Sequence, residues 1–312
     1  MNSLKYILTL IIGFSSLCGF AQNSNKYCIY DQVALEKYGD KDLDGARTYI
    51  DSAILMCDDL RVDPYVHHIK GFIYYELYKR DQVNDSYSSL RDTAFSAFLE
   101  SNKLDSENEF TVKNNKSLRN IATRIQMNVA NLLDTTNYRE AIKVNNLYKE
   151  TLKKGNIEVD NKPYDISFYI SLGGLFVDLY ENDKVANATM IDSAIHYYEK
   201  SLELDSLNFV GNLQLGYVYH NLSIDIILSM DPEDDIMTMY ENQERSSNFG
   251  LLSLPYLKIA HQQQPKNTKI LYGLAGIYFM LQEKDKSDFY QNLYNELTKE
   301  QEGNQVPPKN GN

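Results

Sequence analysis

Between Ile191 and Tyr219 the apolar side chains recur every three or four positions, break once, and recur again. Ile191, Ala194, Ile195, Tyr198 and Leu202 make one stripe of a helix. The run Leu204-Asp205-Ser206-Leu207-Asn208 interrupts that stripe as a short interhelical turn would. A second helix follows through Leu215, Gly216 and Tyr219. Glycine weakens a helix, so Gly216 in its middle predicts close backbone approach by a neighbouring helix.

The same rhythm extends through the chain. Asn25 to Tyr38 and Leu43 to Leu60 read as the first helices, the second with Ala46, Ile50 and Ala53 on one face. Pro64 opens the next, which carries Gly71 and Tyr74. Asp92 to Ser106 aligns without gaps on Asp192 to Ser206, pairing Ala94 with Ala194, Phe98 with Tyr198 and Ser101 with Ser201. Leu104-Asp105-Ser106 likewise pairs with Leu204-Asp205-Ser206, and such recurrence marks duplicated helical units. Residues 115–154 form a degenerate pair about a turn at Thr135-Thr136-Asn137, and Asp165 to Glu181 restores the pattern with Leu172, Gly173 and Phe176. Asp231-Pro232 ends the helix after Tyr219. Glu233 to Gly250 reads as an acidic insertion with a short helix of its own, before Leu251 to Gln264 resumes the repeat. Ile270 to Leu281 and an amphipathic cap, Lys286 to Leu297, complete the series.

A small residue, an aromatic four later, a turn, and then Leu-Gly-x-x-Tyr in the next helix (Ala194, Tyr198, Leu215-Gly216, Tyr219) resembles the tetratricopeptide repeat (TPR). The resemblance covers most of residues 26–298 in roughly five or six units. It implies an all-α, right-handed superhelical solenoid of antiparallel helix pairs, here with lengthened inter-helix inserts. The expected organisation is a signal peptide at 1–21, the solenoid at 22–298 and a disordered tail at 299–312.

Charge and the N-terminus refine this picture. The formal charge of −12 becomes −13 once Lys5 leaves with the leader, and an acidic surface repels phosphate backbones, so nucleic acid is not the expected partner. Lys5, the apolar run Tyr6 to Leu17 and Gly19-Phe20-Ala21 make a cleavable leader ending at Ala21, too short for a membrane span. Leu17 is bulky where a lipoprotein signal needs a small residue, which argues against lipid anchoring at Cys18. The chain is read as an exported bacterial member of the superfamily, periplasmic or secreted.

Cleavage leaves Cys28 and Cys57. In an oxidising compartment they are a disulfide candidate. Two buried free thiols remain the alternative, because hairpin spacing does not fix the Cα separation. Asp40, Asp42, Asp44 and Asp51, with Gly45, follow calcium-loop spacing and resemble dockerin loops. Arg47 falls where an apolar residue belongs, and the same acids suit the start of a helix. No histidine pair has zinc spacing, and no nucleophile elbow or phosphate loop occurs. No cofactor or catalytic residue is assigned.

In the TPR family the first helix of each unit lines a concave groove at set offsets from its glycine. Carried over, Gly71 gives Tyr65, His68, Phe72, Tyr75 and Glu76, and Gly216 gives Val210, Leu213, Tyr217, His220 and Asn221. The resemblance thus implies a scaffold that captures a protein or peptide. The basic residues of the family's carboxylate clamp are missing from these positions. Twenty-five tyrosines and no tryptophan keep a glycan-binding module as the alternative, with a hydrolase third.

Overall fold

The computed structural model describes residues 28–303. The leader, its cleavage site at Ala21, Cys18 and residues 304–312 of the expected tail lie outside the described residues. So do residues 25–27 of the expected first helix. The described chain is all-α and divides into two units, one ending at Arg124 and the other beginning at Ile125.

The first unit contains α1 (Tyr30–Gly39), α2 (Leu43–Met56), the one-turn α3 (Asp58–Arg61), α4 (Pro64–Asp81), α5 (Ser89–Leu104) and the start of α6 (Thr111–Asn131). Side-chain caps set the helix starts. Asp42 accepts from the Gly45 N–H at 2.9 Å, Asp63 from Tyr65 at 2.8 Å beside Pro64, and Ser88 from Arg91 at 3.1 Å. The helix expected to run from Leu43 to Leu60 stops at Met56, because Cys57 adopts extended backbone before α3 begins. Ala46, Ile50 and Ala53 bury the stripe read from the sequence, together with Ala34, Val66, Ile73 and Leu77. Cys28 and Cys57 are disulfide-bonded, with Cα atoms 6.2 Å apart.

The second unit holds the rest of α6, then α7 (Tyr138–Lys154), α8 (Lys162–Asn182), α9 (Met190–Leu204), α10 (Phe209–Leu228), α11 (Ile236–Gln263), α12 (Thr268–Met280) and α13 (Lys284–Gly303). The acidic insertion does not form a separate short helix. It lengthens α11 into one helix of 28 residues, started by the Asp235 cap and continuing through Pro255. Nothing between Ile236 and Leu254 breaks a helix, and Pro255 sits on the exposed side. At the other end α13 continues past residue 298 to Gly303.

Within each unit, consecutive helices pair antiparallel around close contacts at glycine. A β-carbon added at Gly71 would lie 2.5 Å from the Phe98 ring, at Gly173 2.6 Å from Tyr198, and at Gly216 2.7 Å from Leu257. Three hairpins, α4/α5, α8/α9 and α10/α11, therefore share one device: a large side chain of the second helix lies on bare backbone of the first. The aligned pairs repeat it in detail. Ala94, Ala194, Phe98, Tyr198, Ser101 and Ser201 are all buried.

The aligned Asp105 and Asp205 diverge in use. Asp105 accepts hydrogen bonds from the backbone N–H groups of Glu109, Phe110 and Thr111 and from the Thr111 hydroxyl, at 2.9–3.0 Å, so it ties the end of α5 to the start of α6. Asp205 accepts from Leu207 alone, at 3.3 Å. Burial raises the Asp105 pKa, but those four donors outweigh it and hold the carboxyl below its ordinary value. A depressed folded-state pKa contributes stability above the unfolded value, near 3.9, that is lost as pH falls through the folded value. Asp105→Asn is therefore expected to lower stability at pH 7 and to flatten the acid limb of an unfolding curve below about pH 5. Asp205→Asn, which loses one long bond, should lower stability at pH 7 by less. An unaltered acid limb in Asp105→Asn would reject this role.

Candidate functional site

Three of the four calcium-like acids are tied to separate partners. Asp42 caps α2, Asp44 accepts from Arg80 at 2.9 Å, and Asp51 accepts from the Tyr74 hydroxyl at 2.6 Å and pairs with Lys70. Among the described residues no three His, Cys, Asp or Glu side chains converge as a metal site would need.

The groove residues assigned from Gly71 are largely consumed by packing inside the first unit. His68 is buried between the Phe72 and Phe110 rings, at 4.9 and 4.8 Å. Its Nδ1 donates to Asn114 Oδ1 at 2.7 Å, an orientation fixed because the Asn114 amide nitrogen donates to Ser101 and Asn102. Burial lowers the His68 pKa, against the pull of the Asn114 bond, and keeps the ring neutral at pH 7. Tyr65 packs on Phe110 at 5.7 Å. Tyr75 is buried, accepts from Arg124 Nε at 3.3 Å and lies under Lys79, which also pairs with Glu76. The start of α6 covers this face of α4. Truncating Tyr75 would therefore remove core rather than a free contact surface.

The set assigned from Gly216 has a different setting. Tyr217, His220 and Asn221 of α10 line a cleft of about 430 Å³ with Thr268, Lys269, Tyr272 and Gly273 of α12 and Tyr294 of α13. Leu213 packs into the core below, while Val210 is exposed outside the lining. Helix α12 passes α10 at two glycines, where an added β-carbon would make only ordinary contact with that helix. A β-carbon at Gly273 would lie 3.7 Å from the Tyr217 ring, and one at Gly276 3.5 Å from His220 Nε2. At the mouth, Tyr272 is 59% exposed and meets Tyr294 at 5.6 Å between ring centres.

The inner wall is polar yet uncharged. His220 is only 6% exposed, and burial lowers its pKa despite an opposing bond to Asn221, so the ring is neutral at pH 7. Burial pushes the Tyr217 hydroxyl up to about 12. That hydroxyl has no hydrogen-bond partner among the described residues. A buried donor without a partner costs about 1–3 kcal/mol. The lining residues include no carboxylate or thiol, so the cleft has the chemistry to stack, bury and hydrogen-bond a ligand.

Sequence reading missed Tyr272, Lys269 and Tyr294. Offsets from a glycine do not find them, because α12 carries two glycines, Gly273 and Gly276, and meets α10 through both. The available signal was Lys269, Tyr272 and Gly276 at helical spacing along the otherwise apolar α12.

No protein-family model and no curated protein matches the chain. Similar solved structures include a human IFIT1 dimer with m7Gppp-AAAA, at 16% identity and a TM-score of 0.31, covering 85% of this chain and 59% of that one. A monomeric IFIT1 mutant with Gppp-AAAA is similar at 16% identity and a TM-score of 0.32, covering 85% and 58%. The chain thus spans less than three fifths of the length of the IFIT1 structures it matches.

Proposed function

We propose that this chain is an exported, non-catalytic helical scaffold of tetratricopeptide type that captures a protein or peptide segment in the α10–α12–α13 cleft. The observation that carries the reading is the open Tyr272–Tyr294 pair over a cleft walled by Tyr217, neutral His220 and Asn221. An extended peptide offers polar backbone groups to Asn221 and Thr268 and an apolar side chain to lie on Tyr272. Exposed aromatics over a concave, partly polar floor are the usual anchors of such binding. The Cys28–Cys57 bridge supports export, since structural disulfides persist in oxidising compartments. The exposed tyrosine pair beside the Asn221 carboxamide supports a second reading, a glycan whose ring stacks on Tyr272.

Selection from a displayed peptide library, run in parallel with a glycan array, separates the two. Peptides enriched on the wild type are expected to bind Tyr272→Ala about tenfold or more weakly and Asn221→Ala severalfold more weakly, with melting temperature unchanged for Tyr272→Ala. Glycan hits sensitive to Tyr272→Ala, with no enriched peptide, would select the sugar reading. Ligands retained at full affinity by both variants would remove the cleft from consideration.

A further inference from the structure

The insertion that lengthens α11 creates a second surface, remote in character from the tyrosine-lined cleft. At 28 residues against 13, α11 outruns α12 by about 22 Å at the helical rise of 1.5 Å per residue. The end of α12 abuts α11 at Gly250, where an added β-carbon would lie 3.5 Å from Met280 and 3.7 Å from Ile277. The first turns of α11, Ile236 to Arg245, therefore extend beyond the helix that covers the rest of it. Beside them lies a cleft of about 680 Å³ with Ile227 and Met230 on one side and Phe279 and Met280 on the other. Gln243 and Ser246 of α11 line it, and Lys284 and Asp288 at the start of α13 form the far rim. Its floor is fixed by reciprocal bonds: the Ser223 hydroxyl donates to the Ser246 carbonyl at 2.6 Å, and the Ser246 hydroxyl donates to the Ser223 carbonyl at 2.9 Å.

Helical spacing puts Ile236, Met239, Tyr240 and Gln243 on one side of α11, in line with the cleft. Ile236 is 87% exposed and Phe279 75%, so this strip is apolar and open. Its surroundings are predominantly acidic. From Asp231 to Glu244 the chain holds Asp231, Glu233, Asp234, Asp235, Glu241 and Glu244 and no basic residue; Arg245 and Lys284 are the nearby cations. Methionines interleaved with carboxylates suit an amphipathic helix with basic flanks, because thioethers adapt to varied apolar anchors while the acids select positive charge.

We propose that the free start of α11 and the adjoining cleft dock a basic amphipathic helix of a partner protein. Its apolar face would lie along Ile236, Met239 and Phe279, with lysines or arginines meeting Glu244, Asp288 and the acids before α11. A labelled leucine–lysine amphipathic helix tests this by fluorescence anisotropy against the full chain. Controls are the same peptide with glutamate for lysine and a scramble with no apolar face. One-to-one binding of the basic helix alone is expected, weakened about tenfold or more in Phe279→Ser and in Met239→Ser. The double change Glu244→Gln/Asp288→Asn should weaken it severalfold and reduce its salt dependence. Circular dichroism checks that each variant is folded, and Tyr272→Ala should bind as the wild type does, which keeps this surface separate from the other cleft. Unchanged affinity in Phe279→Ser and Met239→Ser would overturn the proposal. So would equal weakening by Asp58→Asn/Asp59→Asn in the first unit, the mark of diffuse attraction. A dimer in sedimentation that Phe279→Ser dissolves would assign the surface to a second copy of the chain instead.

Discussion

Truncating Tyr198 to alanine is expected to remove about 3–5 kcal/mol of stability, the usual range for a fully buried aromatic ring. Tyr198 is 1% exposed, and its ring lies on the bare backbone of α8 at Gly173. The partner change has an opposite logic. Alanine at either glycine of the Gly173-Gly174 pair gains about 0.5–1 kcal/mol of helix propensity. At Gly174 the new methyl meets only the Tyr198 hydroxyl, 3.7 Å away, so Gly174→Ala should be neutral or stabilising. At Gly173 it would sit 2.6–2.8 Å from ring carbons that are themselves packed, so Gly173→Ala should cost about 1–3 kcal/mol. With the ring removed that clash vanishes, and in a Tyr198→Ala background Gly173→Ala should become stabilising. Urea unfolding of the four members of this cycle measures the coupling. If Gly173→Ala has the same sign and size with and without the Tyr198 ring, the close approach does not govern this hairpin.

Reducing the Cys28–Cys57 bridge is expected to cost about 3–4 kcal/mol by loop entropy, given its sequence separation of 29. The loss should concentrate in α1. That helix contributes a single fully buried residue, Ala34, beside the partly buried Tyr30 and Tyr38, and has no side-chain cap. Hydrogen exchange in Cys28→Ser/Cys57→Ser should show α1 losing protection before α4 and α5. Two titratable thiols in unreduced, purified protein would contradict the bridge. An unchanged melting temperature in reductant would contradict its contribution.

Much of the fold was legible because its governing interactions are local in sequence. The helical stripe of Ala46, Ile50 and Ala53 and the gapless match of Asp92–Ser106 with Asp192–Ser206 each depend on spacing within one or two helices. So does the mid-helix glycine, which signals a close neighbour whatever that neighbour is. The start of α11 was misread for the converse reason: an acidic insertion looks separate, yet with no proline between Ile236 and Pro255 the backbone simply continues the helix.

The residues themselves determined that this protein is a series of antiparallel helix pairs, and where each pair closes. What covers each helix face was decided only in three dimensions. His68 and Tyr75 occupy the same offsets from Gly71 as Leu213 and His220 do from Gly216, but Phe110, Asn114 and Arg124 of later segments close over them. Tyr217 gained Tyr272 and Tyr294 from helices far along the chain. Periodicity reports which side of a helix is turned inward; the identity of what arrives there is a long-range fact, fixed by packing between segments that no local pattern connects.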